Sequence, residues 1–308
     1  ISVALPAPHI EARPPPQTAE SVAASPLTAD EAKIDAFIEK MMADKQIPGL
    51  ALAVIQDQKL IKTQGYGMLN REQNVKARPS SIFPIASMSK PITATAIMLL
   101  VEDGKIELDE PVSTYLTNAP SKWQNISIRQ LLNHTAGLSE SVYQSNFRHI
   151  TQPDGFVKAA GRLPLDFQPG ESWMYSNTGY NLAATIVEKV SEQSFEGFVQ
   201  SRIFNPLGMR ATDVIRDSYR SPNLAMGYTV NNGTTNPIDI RLSQVRQQMQ
   251  LFVGSGSITS NVGDLARWAV ALQKGQLLSA ESLATMTTPG TTHSGLTTSY
   301  GLGWFIND

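Results

Sequence analysis

The chain has 308 residues, enough for one large domain or two, and 41% of them are apolar, so a sizeable core can form. Its 25 basic and 27 acidic side chains leave a net charge of −2, which offers no broad positive field for a nucleic acid. There is no cysteine, which excludes disulfides, thiolate nucleophiles and iron–sulfur clusters. The apolar runs Leu50 to Ile55 and Ala96 to Val101 fall far short of the ~20 residues that cross a bilayer, so no membrane span is expected.

In chain order, Pro6, Pro8, Pro14, Pro15, Pro16 and Pro26 lie among Ala and Ser with no apolar period, and residues 1–28 read as an extended tether. The first residue is Ile1 rather than Met, from which removal of an upstream segment and export are expected. From Thr28 the pattern is helical. Thr28 and Glu31 form a capping box, Ile34, Phe37, Ile38, Met41 and Met42 recur at helical spacing, and Pro48 with Gly49 ends the run. Leu50 to Ile55 and Leu60 to Met68 read as an antiparallel hairpin across Gln56-Asp57-Gln58-Lys59. Ser87 to Glu102 is a helix with almost no polar face, and a helix apolar all round is buried. Pro91 is tolerated near its start, and Gly104 supplies the stop.

From Pro111 to Gln250 the texture changes to short helices and loops, with a cap at Ser127 and Gln130 and a longer helix near Tyr180 to Val190. The final stretch returns to mixed structure. Gly254 to Thr259 and Tyr300 to Ile306 read as strands, Asp264 to Leu272 as a helix, and Ser279 as the cap of another. The fold class is therefore α+β, an antiparallel sheet flanked by helices. Its expected division is a tether (1–28), an α/β domain (29–110 with 251–308) and a mainly helical inserted domain (111–250).

The chemistry centres on the head of the buried helix. Ser87-Met88-Ser89-Lys90 sets a hydroxyl and an amine one turn apart on one face. Serine needs a base to become a nucleophile, and lysine serves as one only when its ammonium is destabilised, which burial does. The helix N-terminus favours negative charge developing nearby. The plainer alternative is that Ser87 caps the helix and Lys90 reaches into water, since about one such spacing arises by chance in a chain of this composition. Tyr175-Ser176-Asn177 changes the balance. The triplet precedes a helix, where Tyr175 can relay a proton and Asn177 can donate to a substrate carbonyl and accept from Lys90; its plainer role is to cap that helix through Ser176 or Asn177. His134 reads as a hydrogen-bonded structural residue, His9 and His149 as tether and loop residues. Trp123, Trp173, Trp268 and Trp304 read as packing residues, with cleft lining equally open for Trp173. No ligand cluster supports a metal, and no cofactor is expected.

With these motifs, together with Leu131-Leu132-Asn133-His134-Thr135-Ala136-Gly137-Leu138 and Tyr300-Gly301-Leu302-Gly303-Trp304, the chain resembles the serine β-lactamase and penicillin-binding superfamily from about Thr28 to its last residue. The nearest branch is that of class C β-lactamases, family VIII esterases and D,D-carboxypeptidases. The resemblance implies the β-lactamase/transpeptidase-like fold and an acyl-enzyme cycle. In that cycle Ser87 is the nucleophile, Lys90 or Tyr175 the base, and Asn177 a substrate-binding residue. It implies a small ester, amide or β-lactam as substrate. A general esterase is favoured over a β-lactamase or D-alanyl-D-alanine carboxypeptidase, and a non-catalytic cell-wall or partner-binding module is the reading from another class.

The resemblance also implies a third box, Lys-Thr-Gly or His-x-Gly, after the Gly-Leu-Gly-Trp segment, and none follows it here. His293-Ser294-Gly295 comes before Tyr300, in the wrong order, and reads as a solvated loop. One oxyanion-hole N–H and the last strands of the sheet would then be lacking, and losing one such donor typically costs about 10² to 10³ in rate. The expectation is a truncated or processed piece, with the remaining strands absent or supplied by a second chain.

Overall fold

The computed structural model describes residues 29–143, 153–216, 219, 221–231, 234–239 and 242–306. The chain divides into two units, Ile1–Gln46 and Ile47–Asp308. In the first unit the described element is helix α1 (Ala29–Lys45). The expected tether and the Thr28 cap lie outside the described residues.

The second unit opens with strands β1 (Gly49–Gln56) and β2 (Lys59–Asn70), antiparallel from Gly49 opposite Gly67 to Gln56 opposite Lys59. The hairpin turns on two residues, Asp57 and Gln58, at φ 50° and 59°. Both lie in the left-handed region that a two-residue turn between twisted strands requires. Short β3 (Val75–Lys76) adds to β2, giving the order β1-β2-β3, and β4 (Phe83–Pro84) leads into a 3₁₀ turn over Ala86–Met88.

Helix α2 (Ser89–Glu102) follows directly and is buried on every side from Ser89 to Leu100. Its small polar side chains find backbone partners within α2 and in the segment 254–258. Thr95 Oγ1 donates to the Pro91 carbonyl at 2.9 Å, Thr93 Oγ1 donates to Gly254 O at 2.6 Å, and Ser89 Oγ accepts from Ile258 N at 3.2 Å. Gly104, at φ 68°, ends the helix while the Lys105 N–H caps the Leu100 carbonyl.

Next come α3 (Ile128–Leu132), α4 (Pro153–Ala160), α5 (Asn177–Ser191) and α6 (Phe195–Val199), the last running into a π turn. Ser127 and Gln130 form the expected capping box on α3. Beyond them are β5 (Asp213–Val214), the hairpin β6 (Gly227–Asn231) and β7 (Thr234–Ile238), α7 (Ser243–Gln250) and β8 (Ile258–Ser260). Helices α8 (Val262–Gln273) and α9 (Ala280–Thr287) complete the order, α9 capped by Ser279 as expected. Strand β8 lies between β4 and β5 in a second small sheet, antiparallel to both. The main core is built on α2, which packs against α5, α6 and α9; α5 also receives α3 and α4, and α8 covers β1 and β2.

Two expected strands differ. Residues 251–256 form turns, and regular strand begins only at Ile258. Tyr300 to Ile306 is not a strand either. The Gly301 N–H donates to Trp304 O and Ile306 N donates to Ser299 O, so the segment doubles back on itself. Leu302 and Trp304 alternate as strand residues do, yet they are covered by helices: the Leu302 N–H caps Met286 O at the end of α9, and the Trp304 ring stacks on Trp268 of α8 at 5.6 Å. Gly303, at φ 92°, makes the reversal possible.

Candidate active site

Ser87 sits in the 3₁₀ turn that feeds α2, and its side chain is exposed. Ala86 before it is held at φ 47°, a left-handed conformation uncommon for a residue with a Cβ, which sharpens the entry into the helix. Ser87 does not cap α2. The N-cap position is Met88, whose side chain makes no capping hydrogen bond.

Lys90, one turn on, is fully buried. Its Nζ lies 2.8 Å from Asn177 Oδ1, 3.0 Å from the Ser255 carbonyl and 3.3 Å from Ser87 Oγ. Desolvation lowers its pKa from 10.5 to about 8, against a smaller upward pull from the Glu140 carboxylate. The Tyr175 and Tyr180 rings flank the amine, with centroids 4.6 and 5.6 Å away. Burial, with the Glu140 charge, outweighs the opposing pull of the nearby Ser87 hydroxyl and keeps the Tyr175 pKa above the usual phenol value.

In the Tyr175-Ser176-Asn177 triplet the capping role falls to Ser176, whose Oγ accepts from the Gly179 N–H at the start of α5. Asn177 is thereby left to face Lys90. The four residues singled out by sequence, Ser87, Lys90, Tyr175 and Asn177, thus converge on one amine.

Two further groups complete the cluster. Glu140, in the 3₁₀ turn Glu140–Tyr143, accepts from Ser176 Oγ, Asn177 Nδ2 and Thr178 N at 2.9, 3.0 and 2.9 Å. It follows the Leu131 to Leu138 segment by two residues, but a lone acidic residue there carries no pattern that pairs it with residues 36 or more positions away. The Ser255 carbonyl is a backbone group, invisible to any reading of side chains. The loop carrying it is pinned from α5: Asn181 Nδ2 donates to Leu251 O, and Asn181 Oδ1 accepts from Gly254 N.

His134 is buried behind the site at φ 66°. Its Nδ1 accepts from Ser176 N at 3.0 Å, and its ring packs among Trp173, Tyr175, Tyr180 and Tyr300. Burial, helped by the Lys90 charge, lowers its pKa to about 3, so it is neutral and carries its proton on Nε2, a tautomer assigned from the Nδ1 acceptor bond. Trp123 and Trp268 are buried, whereas Trp173 and Trp304 are half-buried. His293 is exposed on the bend bridged by Thr291 and Thr297, donating its backbone N–H to Gly170 O. His9 and His149 lie outside the described residues. Among the described residues, no group of three or more His, Asp and Glu is placed to hold a metal, and no helix is long and apolar enough to cross a membrane.

Fold and sequence together define the class: a member of the serine β-lactamase-like superfamily, with the β-lactamase/transpeptidase-like fold. The chain belongs to the Beta-lactamase family, whose model it matches over residues 34–308. Penicillin-binding protein 4* of Bacillus subtilis (strain 168) is 32% identical over 79% of this chain and 56% of that one. Among solved structures, the octameric penicillin-binding protein homologue from Pyrococcus abyssi is 27% identical with a TM-score of 0.75, covering 89% of this chain and 64% of that one. The D-amino acid amidase from Ochrobactrum anthropi SV3, crystallised with L-phenylalanine amide, is 25% identical with a TM-score of 0.73 over 87% and 81%. The chain spans from 43% to 61% of the length of the curated relatives it matches.

Proposed function

We propose that this chain is a serine hydrolase that cleaves small ester or amide substrates through an acyl-enzyme on Ser87. One observation carries the reading: the enclosed Lys90 amine beside an exposed serine, with two acceptors fixed around it. Once neutral, Nζ has two hydrogens and one lone pair. Asn177 Oδ1 and the Ser255 carbonyl take the two hydrogens. The lone pair is then left for the Ser87 hydroxyl, 3.3 Å away.

In this reading Lys90 accepts the Ser87 proton as Oγ bonds to the substrate carbonyl carbon. Collapse of the tetrahedral adduct breaks the bond to the leaving alcohol or amine, which receives a proton from the lysine through Tyr175. Water then attacks the acyl carbon, giving its proton to Lys90, and Ser87 is released with its own proton restored. Tyr175, with its raised pKa, acts as a neutral donor and relay, which assigns the role of base to Lys90. The amidase among the structural relatives supports amides beside esters as substrates.

The test is a fluorophosphonate probe followed by peptide mass spectrometry. The expected result is one adduct, on Ser87, lost in Ser87→Ala and strongly reduced in Lys90→Met. A folded sample that takes no adduct would overturn the reading in favour of a non-catalytic binding module. Comparing a short-chain nitrophenyl ester, a D-amino acid amide and a chromogenic cephalosporin then ranks the substrate classes.

A further inference from the structure

The Asn177 side chain has two ends of nearly equal size, so hydrogen bonding alone decides which one meets Lys90. Glu140 is an acceptor-only carboxylate held by three donors from consecutive residues, with Oε2 on Asn177 Nδ2 at 3.0 Å and Oε1 on Ser176 Oγ and Thr178 N. The opposite end of the amide, Oδ1, is 2.8 Å from Lys90 Nζ. Turned around, Asn177 would set its oxygen against the carboxylate and its NH2 against the amine. A neutral Lys90 would then accept from that NH2, and its lone pair would no longer be available to Ser87.

We propose that Glu140 is a positioning residue that locks Asn177 with its oxygen toward Lys90, and so keeps the lysine lone pair directed at Ser87. The proposal rests on the reading of Lys90 as the base. Glu140 also acts through its charge. The groups facing the amine are Ser87, Asn177, the Ser255 carbonyl, Tyr175 and Tyr180, with His134 near enough to feel it. Burial keeps both tyrosines and His134 neutral, and the Glu140 carboxylate favours the ammonium form of Lys90.

The experiment is the pH–rate profile of the full chain on a nitrophenyl ester, for the wild type, Glu140→Gln and Glu140→Gln with Asn177→Asp. Glutamine offers its own NH2 to Asn177, which turns the Asn177 amide. The expected plateau kcat of Glu140→Gln is therefore lower by about 10² or more, the scale of losing a general base. Loss of the negative charge moves the acid limb below about pH 8. A purely structural role would lower the amount of active protein and leave the limb in place. In the double variant the glutamine NH2 meets a carboxylate whose other oxygen faces Lys90, so the plateau should recover at least about tenfold, with the limb at or above its original position. An unchanged profile in Glu140→Gln, or a double variant no better than the single, overturns the proposal.

NMR of the unmutated chain supplies a test independent of variant folding. The Asn177 NH2 protons should show contacts to the Thr178 amide and not to the Lys90 side chain; the reverse pattern overturns the proposal. If Ser87 takes no probe adduct, the hydrolase reading itself falls. An adduct with an indifferent Glu140→Gln removes only this inference.

Discussion

Lys90→Met removes a charge from the interior while keeping an unbranched side chain of similar reach. In the unfolded chain the amine titrates near 10.5, in the folded chain near 8. Between those values the unfolded state holds more protons, so stability rises with pH and the penalty for burying the ammonium fades. Below pH 8 the full penalty applies, about 3 kcal/mol for a side chain wholly out of water. Evaluating the linkage between about pH 7 and pH 9.5 leaves a gain of about 2 kcal/mol in the wild type that the variant cannot show.

The variant also leaves Asn177 Oδ1 and the Ser255 carbonyl without their donor, at about 1–3 kcal/mol each, a cost much the same at both pH values. Urea denaturation of both chains at the two pH values measures the difference of differences, in which the raised tyrosine pKa values cancel. The wild-type advantage should grow by about 2 kcal/mol on going alkaline. An advantage that stays flat within about 0.5 kcal/mol would mean that Lys90 titrates as an ordinary surface amine, and the catalytic reasoning would fail with it.

Three other outcomes follow from the geometry. In Gly254→Ala the new methyl would overlap the Tyr180 carbonyl oxygen and stand 2.7 Å from Ala184 Cβ. That displaces the loop carrying Ser255, so kcat should fall more than about tenfold and urea stability by about 1–3 kcal/mol. Gly303→Ala would force a Cβ at φ 92° to within 3.0 Å of Pro91 Cα and 3.1 Å of Ala94 Cβ, with a loss of about 1–3 kcal/mol; an unchanged melting temperature would contradict the described turn. Activity should rise through about pH 8 as Lys90 loses its proton, while His134, with a pKa near 3, stays silent. NMR of the imidazole nitrogens checks the second half, and a His134 titration near its ordinary 6.5 would refute it.

Much of the frame was legible because local patterns and burial agree. Helix α2 declares itself through Ile92 to Val101, and the β1–β2 hairpin through two apolar runs separated by the four polar residues Gln56 to Lys59. The caps at Ser127 and Ser279 use side chains close to the backbone they bond. Ser87 and Lys90 were legible for the same reason, being three residues apart across the 3₁₀ turn and the first residues of α2. The unread parts depend on distance or on backbone. Glu140 meets its partners across 36 to 38 residues, and the Ser255 carbonyl reaches Lys90 across 165. Tyr300 to Ile306 was misread because its alternation is satisfied by a glycine turn against two helices, a solution that strand periodicity cannot tell from a sheet.

Asn177 and Asn181 lie one turn apart on α5, the first holding Lys90 itself and the second holding the loop whose carbonyl also holds it. Both anchors of the amine are therefore ganged to one rigid rod. A small slide or roll of α5 cannot release one without disturbing the other, so in the proposed mechanism the proton acceptor is armed or disarmed as a unit. Any change that shifts this helix, however remote from Ser87, would then act as a throttle on the whole proposed reaction centre.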